Sequence, residues 1–337
     1  MRLSAIATDD AVIENTGVIN INASNSFAFS KLGDKGRLVN TGDVNFADGV
    51  TGSGITNTAD RLPGFTHDRV LADGDIASAE GGVVRYDLVT TDTKGGAVNA
   101  GLLYAVGVNV SGGFTLTNEA TGSISGAVTI KDGGVINNEG TITGALTANN
   151  GSAVTNHGTI AGGTLYVNAG GTLVNEAGGL IEHAGIAAIA GTMTNHGTIK
   201  TGASSAFQVW GASGHLTNAS DGVIEISGTQ GFIFTSDNGR IDNQGTINYD
   251  GAVTGYNGGL LLSSGASTIT NSGTINKTTT TGGGIVASRA NGTSATSRSL
   301  FWNQADGVMN FTGASGKAAV TMTHANTAAL NDGTINV

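Results

Sequence analysis

The sequence predicts an all-β fold, a parallel β-helix (solenoid) whose coils stack layer on layer, with side loops. Three observations predict it. One phrase keeps returning: "VTNHGTI" at 154–160, "MTNHGTI" at 193–199, "IDNQGTI" at 241–247, "ITNSGTI" at 269–275 and "LNDGTI" at 330–335. The composition is strand and turn chemistry, dominated by Thr, Val, Ile, Asn and Gly, with 56 Gly and a single Pro in 337 residues. Alignment on the Asn of the phrase produces apolar columns at fixed offsets.

The Asn positions are Asn15, Asn40, Asn118, Asn138, Asn156, Asn175, Asn195, Asn218, Asn243, Asn271, Asn303 and Asn331. From Asn118 the steps are 20, 18, 19, 20, 23, 25, 28, 32 and 28 residues, the period of a solenoid. The turn has a short spelling, as in Asn156-His157-Gly158, and a long one, as in Asn175-Glu-Ala-Gly-Gly179. Two residues before Asn stand Leu116, Ile136, Val154, Leu173, Met193, Leu216, Ile241, Ile269 and Phe301. Two after Gly stand Ile124, Ile142, Ile160, Ile181, Ile199, Ile224, Ile247, Ile275, Met309 and Ile335. Strand side chains alternate, so both columns can face one interior while Thr117, Thr155, Thr194, Thr217 and Thr270 face out. The Asn is expected at the corner, where it tolerates a left-handed backbone and can pass amide hydrogen bonds along the stack. Gly would supply a second permissive φ.

About 13 layers are expected, a rod of about 60 Å at about 4.8 Å per layer. Leucine-rich and helical solenoids need Leu-rich or helical periods, which this sequence lacks. The whole chain, 1–337, reads as one solenoid. Residues 57–80 hold the one Pro and the densest charge, and are expected to leave the rod as a loop. Residues 81–117 return to strand-like text, about two coils without the Asn phrase. Beyond Asn195 the lengthening steps predict growing side loops. The last residues, "GTINV", stop in mid-repeat, so a longer parent chain is expected.

The net charge of −10, without a Lys/Arg cluster, argues against a nucleic-acid partner, and no apolar run is long enough to span a membrane. The absence of Cys removes disulfides, Cys-ligated zinc and thiol catalysis. No serine-hydrolase elbow or H-E-x-x-H pattern occurs, and no cofactor is implied. Glu119, Glu139, His157, Glu176 and His196 follow the Asn in five successive layers and are expected to stand above one another outside the coil. That stripe could hold a metal or a proton, or be a solvated charge ladder, and its outward corner position favours the ladder, with no metal. Other binding candidates are Asp60, Arg61, His67, Asp68 and Arg69 in the excursion, and Trp302 at an outward place, where it could stack on a sugar or lie under a side loop.

Serial "xTNxGTI" coils rich in Gly, Asn, Thr and Ala, without Cys and low in Lys, resemble the passenger domains of Gram-negative autotransporter adhesins, over roughly residues 11–50 and 115–337. The resemblance implies a right-handed β-helix displayed from the bacterial outer membrane. It implies a non-enzymatic adhesin whose partners are copies of itself, a host glycan or an extracellular-matrix protein, with clumping or biofilm as the outcome. The family's signal peptide and translocator barrel are not in this sequence, as expected of a cut passenger. Two other readings are a polysaccharide lyase or hydrolase, which needs a carboxylate cluster in a groove, and a trimeric fibre spike, whose tail signals are missing.

Overall fold

The computed structural model describes residues 12–15, 18–21, 37–40, 43–46, 51–52, 55–56, 68–183, 185–201, 206–227, 232–236, 238–250, 258–262, 266–279, 284–288, 298–313, 320–322 and 326–337. These form strands and turns and no helix, so none is long and apolar enough to cross a membrane. The chain divides into two compact units, Met1–Gly144 and Ala145–Val337. Both are built mainly from short parallel strands paired with a counterpart one turn away; in the first, Thr51–Gly52 and Ile55–Thr56 pair antiparallel instead. Such stacking satisfies strand backbones turn by turn without any long free edge.

In the second unit, a corner sheet runs from Ala153–Asn156 through Thr172–Asn175, Thr192–Asn195, His215–Asn218, Arg240–Asn243, Thr268–Asn271 and Ser299–Asn303 to Thr327–Asn331. Its parallel register places Asn175 opposite Asn156, Asn195 opposite Asn175, and so on to Asn331. A second sheet follows the corner, from Thr159–Gly162 through Leu180–His183, Thr198–Thr201, Val223–Ser227, Thr246–Asp250, Thr274–Thr279 and Val308–Gly313 to Thr334–Asn336. The third sheet begins at Leu146–Ala148, Leu165–Val167, Ile186–Ile189 and Ala206–Trp210. Three sheets around one interior make a parallel β-solenoid.

The predicted apolar columns form that interior. Val154, Leu173, Met193, Leu216, Ile241, Ile269 and Phe301 are buried from the corner sheet, and Ile160, Ile181, Ile199, Ile224, Ile247, Ile275 and Met309 from the second. Leu165, Val167, Ile189, Phe207 and Val209 close the third side. Burying each large aliphatic side chain is worth about 1.5–3 kcal/mol, and repetition multiplies that gain.

The corner departs from expectation. Asn156, Asn175, Asn195, Asn218, Asn243, Asn271 and Asn303 point inward and are fully buried. None has a left-handed φ; among described non-Gly residues only Asp132 and Asn238 do. Their amides instead satisfy the backbone of the turn. Asn175 Nδ2 lies 3.1 Å from the Gly179 carbonyl, 3.3 Å from that of Thr198, and 2.8 Å from Asn195 Oδ1. Carbonyl oxygens only accept, so they fix which end of the amide is NH2. Asn156, Asn195, Asn218, Asn243, Asn271 and Asn303 repeat the pattern, each donating to the Asn of the following turn at 2.7–2.8 Å.

Glycine also serves a different purpose than left-handed φ. A Cβ on Gly197 would collide with the carbonyl oxygens of Gly179 and Glu176, because successive turns press together there. Gly178, in the long spelling, does take a left-handed φ of 86°.

In the first unit, Asp75–Ser78, Gly95–Asn99, Phe114–Asn118 and Val135–Asn138 form the corner sheet. Asp68–Leu71, Val83–Thr91, Leu102–Val110, Ser123–Ile130 and Thr141–Thr143 form its partner. The long strands bend where the register slips between Tyr104 and Gly107, and Gly126 at φ 129° fits under the Ala105 carbonyl. Val12–Asn15 pairs in parallel with Arg37–Asn40, placing Asn15 opposite Asn40.

Part of the expected 57–80 excursion is rod. Residues 68–71 and 75–78 are strands in parallel register with the turn above, and Leu71, Ala77 and Ser78 are buried. The acidic residues that suggested a loop tie down the tight turn between these strands. Asp75 Oδ2 accepts from the Ala72 N–H at 3.0 Å and Asp73 Oδ1 from the Gly96 N–H at 2.9 Å. Residues 57–67 lie outside the described residues. The coils over 81–117 contain a hidden corner: Asn99 donates to Asn118 Oδ1 at 2.7 Å, and Asn118 to Asn138 Oδ1 at 2.7 Å. One turn before Asn99, Ser78 occupies the column.

Candidate functional site

Function in such a coil must come from side chains that alternate outward. At the corner, Glu119, Glu139 and His157 are exposed, while Glu176 and His196 are half-buried. His196 pairs with Asp221 of the following turn, Nδ1 to Oδ1 at 2.8 Å. That hydrogen bond draws the Asp221 carboxyl below the usual range. Among the described residues no three His, Asp or Glu side chains converge as a metal would require. Asp60, Arg61 and His67 lie outside the described residues. Asp68 and Arg69 belong to the strand Asp68–Leu71, in register with Leu88 and Val89.

Trp302 stands on the outer surface of the corner sheet, in register with Thr270 and Leu330. Its indole Nε1 donates to Asp332 Oδ2 at 2.8 Å, so the following turn holds the ring. Farther back on the same surface is a carboxylate hub. Asp242 Oδ2 accepts from Arg240 Nε at 2.6 Å and meets His215 Nε2 at 2.8 Å, and its Oδ1 accepts from the Thr270 hydroxyl. Burial raises the Asp242 pKa, but the bonds from Arg240, Thr270 and His215 together outweigh it and hold the carboxyl below normal. Strands separated by 27 and 28 residues meet here.

The second sheet has an outward amide ladder. Asn276 Nδ2 donates to Asn248 Oδ1 at 2.9 Å, Asn310 Nδ2 to Asn276 Oδ1 at 2.8 Å, and Asn336 Nδ2 to Asn310 Oδ1 at 2.8 Å. These bonds run opposite to those of the buried ladder. An amide can make up to four hydrogen bonds, so Asn276 and Asn310 keep a donor and an acceptor beyond those spent along the ladder. The same outward column carries charge earlier in the unit, where Lys200 Nζ lies 3.5 Å from Glu225 Oε2. The ladder borders a cleft of about 370 Å³. Asn248, Asn276 and Asn310 line it with Thr278 and Thr312, and Tyr249 and Lys277 contribute from beneath. Lys277 is 1% exposed, and its ammonium lies 4.8 Å from the centre of the Tyr249 ring. Burial pushes this ammonium down to about 8.

The sequence reading stopped at the Ile of "GTI" and missed this column. The signal stands one residue further on, in "TINYD", "TINKT", "VMNFT" and "TINV", where Asn recurs in four consecutive turns. Asp242 was also legible: of the eight residues that precede the corner Asn from Asn156 to Asn331 it is the single acid, the others being Thr, Val, Trp and Leu.

Three comparisons place the chain among known proteins. The family model of the BigA fourth domain matches residues 1–51 and 141–337, more than half of the chain. No curated protein matches. Among solved structures, the chain is similar to the TibC-catalysed, hyper-glycosylated TibA fragment at 17% identity and a TM-score of 0.39, covering 95% of this chain and 99% of that one. The chain belongs to the BigA fourth-domain family.

Proposed function

We propose that this chain is a non-enzymatic adhesin segment, displayed at the surface of a Gram-negative bacterium. It holds surfaces together through the polar outer faces of the solenoid, either copy to copy or against a host glycan or matrix protein. The observation that supports this reading most is the outward amide ladder of Asn248, Asn276, Asn310 and Asn336, a row of paired donors and acceptors at fixed spacing. Each contact is worth about 0.5–1.5 kcal/mol, so one copy binds weakly. Many copies on one surface convert such contacts into firm attachment through effective concentration.

Display of the chain on cells that otherwise stay dispersed tests the reading. Settling of the cells and retention on immobilised glycans and matrix proteins are measured together. Clumping or retention above that of undecorated cells is expected. Cells that neither clump nor adhere would overturn the adhesin, and release of reducing ends from a polysaccharide panel would replace it with an enzyme.

A further inference from the structure

We propose that the outward amide ladder of Asn248, Asn276, Asn310 and Asn336 binds an uncharged, N-acetylated sugar, whose acetamido group bridges two successive asparagines. The proposal rests on the adhesin reading and gives its glycan partner a chemical class.

Three features select that class. The first is unspent hydrogen-bonding capacity. Asn276 and Asn310 each spend one N–H and one lone pair along the ladder and keep one of each. These spare groups recur at the strand spacing, about 4.8 Å. A secondary amide carries its N–H and C=O on opposite sides and stacks at that same spacing, as the strand backbones do. An acetamido group beside the ladder can therefore donate to Oδ1 of one asparagine and accept from Nδ2 of the next. A hydroxyl, with donor and acceptor on one oxygen, has no such span. The second feature is charge. The outward neighbours of the ladder on its own strands, Thr274, Thr278, Thr312 and Thr334, are uncharged. By register the flanking charges are acids. Glu225 stands opposite Asn248 in the preceding turn, with Lys200 3.5 Å away on its far side, and Asp250 ends the strand of Asn248. Lys277 is turned into the interior. An anionic sugar therefore finds no cation facing it among the described residues of this ladder. The third feature is reach. Thr278 and Thr312 are exposed two residues beyond Asn276 and Asn310, where their hydroxyls can meet those of a sugar ring seated on the ladder. The ladder bonds hold the amides in place, so little side-chain freedom is lost on binding.

The test is titration of the full chain with the β-linked trisaccharides of N-acetylglucosamine, glucose and glucosamine, read by ligand-observed nuclear magnetic resonance. About 0.15 M salt screens the exposed acids. The acetylated trisaccharide is expected to bind at least tenfold more tightly than either of the others. Asn276→Thr and Asn310→Thr each keep a strand-forming outward residue and remove one amide, and each is expected to weaken that binding at least tenfold. Strand circular dichroism and the melting midpoint establish that a variant folds, and either serves where the other does not. Equal affinity for the acetylated and the glucose trisaccharide overturns the acetamido contact. Glucosamine trisaccharide bound as tightly as the acetylated one assigns the contact to the acids and overturns the proposal. Affinity unmoved by the folded variants overturns the ladder as the site. Cells that clump or hold matrix protein although the chain ignores the acetylated trisaccharide would sink this site alone; trisaccharide binding without adhesion would sink the adhesin and spare the site.

Discussion

The buried corner asparagine is the residue on which each turn depends. Asn195 accepts from Asn175 and donates to Asn218 Oδ1 and to the carbonyls of Gly197 and Val223. Replacing it with Ala leaves a donor on one side and acceptors on the other with no partner. Each orphaned buried group costs about 1–3 kcal/mol, so Asn195→Ala should lower stability by about 3–5 kcal/mol in urea denaturation. Asn195→Asp keeps the shape but sets a carboxylate against three acceptors, and should cost at least as much. Two glycines separate the reasons for using Gly. Gly197→Ala collides with the preceding turn and should cost about 1–3 kcal/mol or more. Gly178→Ala has open space around it and a left-handed φ, and should cost about 1–2 kcal/mol. A larger loss from Gly178→Ala than from Gly197→Ala would contradict the close-approach argument. Asn and Gly at the corner were plain in the sequence; their physical use was not, because a residue that bends the chain and one that ties two turns together look alike in a string of letters.

At the scale of the strand, His183 and Lys277 are two of the ionisable groups that the second sheet carries into the interior, beside Tyr249. His183 ends Leu180–His183 beside the Phe207 ring, with ring centroids 5.8 Å apart. Burial lowers its pKa, against a smaller upward pull from the Gly185 carbonyl. The folded chain therefore refuses a proton that the unfolded chain accepts near 6.5. Stability should be level above pH 6.5 and fall as the pH drops below it. His183→Leu should flatten that part of the melting profile. Lys277 gives a second window. Its ammonium titrates near 8 when folded and near 10.5 when unfolded, so between those values the unfolded chain holds more protons. Stability should rise across that window by about 3 kcal/mol at most, and Lys277→Met should lose the rise. A profile identical for wild type and variant would deny the burial penalty. Strand positions around each corner phrase were legible because their spacing from Asn is local and fixed. The Asn99 turn was harder to see, since Leu102 and Leu103 replace the usual β-branched pair. The rung at 68–78 was hidden by charges that hold a turn.

For the whole molecule, the net charge of −10 opposes the approach of a second copy. Salt shortens the reach of that repulsion from about 30 Å at 0.01 M to about 8 Å at 0.15 M. If copies meet through neutral amide and hydroxyl faces, clumping of displaying cells should strengthen over this range. Clumping that weakens instead would assign the contact to ion pairs. The solenoid was legible because one phrase returns at every corner from Asn118 on, whatever the length of the loop between. Asp242 and the Asn248 column stood in the sequence as letters, but the bonds they make across turns did not, since their partners lie 27 to 28 residues away. In the second unit the buried amides, from Asn156 to Asn303, all donate in one sense, and that gives the winding an arrow. A gene could lengthen this coil by copying whole windings in frame, because every new asparagine would find a mate above and below.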